Sequence, residues 1–162
     1  MHPRGIAKGT VETGPGESYE RFVLVFGYER NEEGEFDYTN SDTVLYSDNG
    51  IEWFKATLPE KGNWVGVVFT GTEFVAVQGK EWIYEYIEEE EWGTFTSKPT
   101  QSLARSTDGI NWTIEQLPYA ACYTNIATIS TLRSTTRSIC LVAEDSPYAL
   151  IETQTDEGSM WT

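Results

Sequence analysis

Short runs rich in β-branched and aromatic residues recur along the chain, among them Phe22 to Phe26, Thr43 to Tyr46, Val65 to Phe69, Phe74 to Val77 and Ser138 to Ala143. Where apolar and polar positions alternate they do so with a period of two. No stretch sustains the i, i+3, i+4, i+7 spacing of an amphipathic helix, so the pattern predicts an all-β chain. The runs fall into three units. In the second, Asn63 to Gly71 and Glu73 to Gly79 flank a Thr-Gly-Thr turn, and Ser102 to Arg105 and Trp112 to Pro118 supply two further strands. The first unit matches with an inner strand inside Gly5 to Thr13, then Phe22 to Phe26, Thr43 to Tyr46 and Trp53 to Leu58. The third matches with Ile126 to Leu132, Ser138 to Ala143, Ala149 to Thr153 and a last outer strand cut short at Thr162. The expectation is a single domain of three four-stranded antiparallel sheets, at about residues 1–59, 60–118 and 119–162.

A repeated heptad ties the units together. Ser47, Asn49, Gly50 and Trp53 align without gaps to Ser106, Asp108, Gly109 and Trp112, and again to Thr155, Glu157, Gly158 and Trp161. The tryptophans lie 59 and 49 residues apart, the spacing of one small sheet per repeat. Asn-Gly or Asp-Gly supplies the positive φ of a tight turn, while the hydroxyl and the amide or carboxylate cap free backbone N–H groups. The indole packs back over the turn and needs a partner for its own N–H. These twelve residues are therefore expected to be structural.

The heptad resembles the Asp-box, also called the BNR or sialidase-type repeat, which forms the turn between the third and fourth strands of a β-propeller blade. Asn49 and Glu157 depart from it, since the family has Asp there. The resemblance implies blades of a partial propeller. Closed rings take four to eight blades, so three call for completion by self-association, with a six-bladed dimer as the first expectation, or by a partner protein. Phe-Val-Ala-Val ahead of Ser-Thr-Asp-Gly-x-x-Trp is similar to repeats in uncharacterised bacterial and bacteriophage surface or virion proteins. That implies a non-catalytic module for assembly or host attachment. The alternatives are a glycan-binding, lectin-like oligomer and a sialidase-like hydrolase. Sialidases use an arginine triad, a Tyr-Glu nucleophile pair and an acidic Asp. None of Arg4, Arg21, Arg30, Arg105, Arg133 and Arg137 lies in such a motif, so catalysis is not expected.

Charge is concentrated in two insertions between the second and third strands of the first two units. Glu29 to Asp42 and Lys80 to Lys98 together carry −9 of the net charge of −15. Each sets aromatics on both sides of a polar tip, as a projecting hairpin does: Tyr28, Phe36 and Tyr38 in the first, Trp82, Tyr84, Tyr86 and Trp92 around Glu88, Glu89, Glu90 and Glu91 in the second. Both should leave the side opposite the box turns. They are the candidate binding surface, suited to sugar stacking or to a basic protein partner, or else they pack across their own hairpins.

The acidic balance argues against nucleic acid and anionic membrane as partners. With 39% hydrophobic and 14% aromatic residues the chain can still form a core. The N-terminus shows no apolar stretch of signal-peptide type, and no run approaches a membrane-spanning length. His2 is the sole histidine and Cys122 and Cys140 read as buried free thiols, so neither a cofactor nor a metal site is expected. The glutamate run lacks the spaced Asp/Asn and Gly of an EF-type calcium loop.

Overall fold

A computed structural model describes residues 3–30, 36–37, 39–130, 138–155 and 158–162. The first sheet combines β1 (Pro3–Gly14), β2 (Glu17–Phe26), the short β3 (Tyr28–Arg30) and β4 (Phe36–Asp37), β5 (Thr39–Ser47) and β6 (Phe54–Gly62). Its four main strands pair in the order β1-β2-β5-β6, with β3 and β4 extending from β5. The second contains β7 (Trp64–Phe69), β8 (Phe74–Gln78), β11 (Thr100–Ser106) and β12 (Thr113–Ala121), with β9 (Glu81–Ile87) and β10 (Trp92–Lys98) forming a separate two-stranded ribbon between β8 and β11. The third is β13 (Tyr123–Ile129), β14 (Ser138–Ala143), β15 (Leu150–Thr155) and β16 (Gly158–Trp161). All pairings among the described residues are antiparallel, and the chain is all-β as the pattern predicts.

The register reveals an equivalence between the sheets. Next to a bulge after Pro3, Trp64 and Tyr123, the first two strands of each sheet resume at Gly5 opposite Val25, Gly66 opposite Val77 and Asn125 opposite Val142. The first strands then pack in sequence, β1 on β7 and β7 on β13. Glycine permits the approach: a Cβ on Gly5 would lie 2.9 Å from Gly66 Cα, and one on Gly66 would lie 2.9 Å from Ile126 Cγ2. Two cores result. Val23, Val25, Val44 and Leu58 of the first sheet meet Trp64, Val67, Phe74 and Trp112 of the second. Val75, Val77, Leu103 and Leu117 of the second meet Ile126, Ile139, Leu141 and Leu150 of the third. Each side chain fully buried in this way contributes about 1.5–3 kcal/mol.

The outer strands run further than the sequence pattern suggests, to Gly62 and Ala121. Pairing jumps from Thr57 to Gly62 and from Gln116 to Ala121, so residues 58–61 and 117–120 bulge out of the ladder. Pro59 and Pro118 have no N–H to donate to a ladder. The leucine before each turns inward, and both leucines are buried. This Leu-Pro pair, five and six residues after the box tryptophan, is a further element of the repeat.

Candidate functional site

The first two boxes form the same turn. Ser47 Oγ accepts hydrogen bonds from Gly50 N at 2.8 Å and Asn49 N at 3.3 Å, while Asn49 Oδ1 accepts from Ile51 N at 2.8 Å and Glu52 N at 2.9 Å. In the second box Ser106 Oγ accepts from Gly109 N, and Asp108 Oδ1 accepts from Ile110 N and Asn111 N, each at 2.8 Å. Gly50 and Gly109 both have φ of 75°. Trp112 closes its box by donating from Nε1 to Gly109 O at 3.1 Å. Burial works against ionisation of Asp108. The hydrogen bonds from Asn111, Ile110 and Ser106 outweigh it and lower the pKa from 3.8 to about 2.

In the third copy, residues 156 and 157 lie outside the described residues. Across β15 and β16, Thr155 pairs with Gly158 and Glu152 with Trp161. Gly158 has φ of 121°, unlike the other two glycines. Asn49 and Asp108 have short side chains that reach the two N–H groups of the loop. Glu157 itself and Tyr38 lie outside the described residues, as do the side chains of Tyr28, Phe36 and Thr155. Trp161 donates instead to Glu115 Oε1 of the second sheet at 3.2 Å.

Two arginines that the sequence does not single out clamp the sheets at the box end. Arg21, 5% exposed, donates to Asp48 from Nε and to the backbone oxygen of Asp108 from Nη1, joining both box turns. Its hydrogen bond to Asp48 raises its pKa above the ordinary value. Arg105 lies 2.6 Å from each of Glu73, Glu115 and Glu152, the last in the third sheet and only 3% exposed. Burial opposes its charge, yet these carboxylates hold its pKa above the ordinary value.

The insertions emerge at the opposite end, since they join β2 to β5 and β8 to β11 whereas the boxes join β5 to β6 and β11 to β12. The β9–β10 ribbon pairs continuously from Glu81 opposite Lys98 to Ile87 opposite Trp92. Trp82, Tyr84, Tyr86 and Phe95 share one of its faces, and Tyr84 and Phe95 are tilted against each other with centroids 4.9 Å apart. Lys80 Nζ lies 4.7 Å from the Trp82 ring centroid. Tyr84, Tyr86, Phe95 and, on the other face, Trp92 are all exposed. The Tyr84–Phe95 pair packs across its own hairpin. Glu88 to Glu91 form the tip, with Glu91 at φ of 54°.

Beside the ribbon a polar pocket of about 560 Å³ opens where the first strands begin, lined by Arg4, Asn63, Lys80, Cys122, Thr124 and Glu144 among others. Lys80 Nζ pairs with Glu144 Oε1 at 2.7 Å, so the pocket's one carboxylate among the described residues is neutralised. Asn63 donates from Nδ2 to Lys80 O at 2.9 Å, while its Oδ1 and Trp64 Nε1 are buried with no hydrogen-bond partner among the described residues. A second, more apolar pocket of about 400 Å³ lies between the end of β12 and the third sheet, walled by Tyr119, Tyr123, Leu141, Tyr148 and Leu150.

Both cysteines are free. Cys122 is buried, and burial raises its pKa; Cys140 is partly exposed, which corrects the expectation of two buried thiols. Among the described residues no cluster of His, Cys, Asp and Glu could hold a metal ion, and no helix is long and apolar enough to cross a membrane. No protein-family model matches the chain, and a search of curated proteins finds no match to it.

Proposed function

We propose that the chain is a non-catalytic, β-propeller-type structural and binding module, used in assembly or host attachment as a virion or surface component. Three consecutive meanders with a common bulge, stacked first strands and two matching box turns support the propeller-type reading. The observation that carries the binding role is the β9–β10 ribbon, which holds a row of exposed aromatics and an acidic tip clear of the second sheet. Rigid aromatics of this kind make the anchors of protein and sugar contacts, and the glutamates favour a basic partner. A non-catalytic role fits the two arginines, both engaged in clamping sheets, and the pocket's single ion-paired carboxylate, since glycoside hydrolysis needs two.

The test is a glycan array, a fluorogenic sialoside assay and binding to immobilised poly-lysine, run on the chain and on a variant with Trp82, Tyr84 and Phe95 changed to Ala. Salt-sensitive poly-lysine binding that falls when Glu88 to Glu91 are changed to Gln supports the docking reading. Glycan binding lost in the aromatic variant selects the lectin-like alternative. Turnover of the sialoside overturns the proposal.

A further inference from the structure

In each sheet, successive pairs of the first two strands point alternately to two faces, and the two cores identify which is which. Val67 with Ala76 and Phe69 with Phe74 turn toward the first sheet; Ile126 with Leu141 and Thr128 with Ile139 occupy the same register positions, and Ile126, Ile139 and Leu141 pack toward the second. These are rear faces. Ala7 with Val23 and Val68 with Val75 turn toward the following sheet and make the front faces. Each internal junction therefore sets a front on a rear.

Among the described residues one rear and one front remain. The rear of the first sheet carries Ile6 with Leu24 and Lys8 with Phe22, and Ile6 is 59% exposed. The front of the third carries Ala127 with Cys140 and Asn125 with Val142, and Val142 is 43% exposed. At the internal junctions the corresponding positions Val67, Ile126, Val25 and Val77 are at most 6% exposed.

We propose that these two faces bind each other between two copies of the chain, the front of the third sheet of each on the rear of the first sheet of the other. The inference rests on the propeller-type reading above. What favours a second copy is continuity: the leftover faces are the complementary kinds that already meet twice within the chain, and two such contacts close on themselves around a two-fold axis. Asn125 stands where Gly5 and Gly66 admit the neighbouring strand, so the junction between copies is wider near the axis than those within the chain. Closure would also wall in the polar pocket around Arg4 and Thr124, which stand on the two outermost first strands.

Light scattering after size exclusion, on the 162-residue chain across a concentration series, should give twice the 18.3 kDa chain mass. Ile6→Asp and Val142→Lys should each give monomers with the far-ultraviolet spectrum and buried-tryptophan fluorescence of the parent. An equimolar mixture of the two variants should recover the dimer. In that mixture one contact is unaltered and the other brings Asp onto the face opposite Lys. Labelling of Cys140 should slow at least tenfold at concentrations that favour the dimer, while Cys122 stays protected throughout. A monomeric parent overturns the proposal, as does open-ended growth. A dimer that the mixture does not restore also overturns it, because a face paired with its own copy could not be rescued this way. That last outcome leaves the propeller-type reading standing, whereas sheets separated in a small-angle scattering profile would remove both.

Discussion

The two well-formed box turns have nearly the same hydrogen bonds and very different surroundings. Around the first, Ile51 is 82% exposed, and the nearest atom to a Cβ on Gly50 is Phe22 Cε2 at 4.0 Å. Around the second, Trp112 is 7% exposed in the core shared with the first sheet, Arg21 holds the Asp108 carbonyl, and a Cβ on Gly109 would lie 2.7 Å from Val23 Cγ2. The difference comes from position: the second box has a sheet ahead of it and the first has none in the chain. The motif itself supplies only a turn, and its weight in the fold is set by what it leans on.

Substitution should make that contrast measurable. Trp112→Ala is expected to cost about 3–5 kcal/mol in chemical denaturation, while Trp53→Ala, at a half-buried site, should cost clearly less. Equal losses would mean that the boxes act alike despite their surroundings. Arg105→Met strands the buried Glu152 carboxylate and should cost about 3–5 kcal/mol, with Glu152→Gln recovering much of it in a double-mutant cycle. Arg21→Met should cost less, about 1–3 kcal/mol, because the Asp48 side chain is 48% exposed and can be hydrated.

Gly50→Ala should lose only the about 1–2 kcal/mol of a left-handed backbone, and Gly109→Ala visibly more because of Val23. A separate effect appears in acid. The folded pKa of Asp108 lies below its unfolded value, so its contribution is complete above about 3.8 and disappears as pH falls toward 2. Asp108→Asn should flatten that part of the stability curve. The first box, with Asn49 in the equivalent place, has no such titration to lose.

Much of this was readable beforehand, for identifiable reasons. Strand number and order follow from local chemistry, β-branched runs separated by turn residues, and the ribbon from Trp82 to Phe95 showed its alternation and acidic tip directly. The Ser47 and Ser106 boxes were legible because a short Asn or Asp beside glycine determines its own turn. The box at Thr155 carries Glu157 where the other two have Asn49 and Asp108, and its central residues lie outside the described ones. Arg21 and Arg105 were missed for another reason. Their partners Asp108, Glu115 and Glu152 come from strands distant in sequence, and no local pattern announces a contact across sheets. The extended outer strands could have been seen, because Leu58-Pro59 and Leu117-Pro118 repeat in register.

The placement of the β9–β10 ribbon bears on how the chain finds its fold. Bringing β8 beside β11 requires a loop closure whose entropic cost grows with the number of free residues spanned. A hairpin of seven opposed pairs forms within microseconds from neighbours in sequence, and once zipped it delivers Lys80 and Thr100 to each other with little slack left. The ribbon remains a separate two-stranded sheet with open edges, and a charged tip of this kind disfavours edge-to-edge pairing. The insertion thus lets a long excursion behave as a short one, and every sheet can assemble from contacts close in sequence as the chain leaves the ribosome.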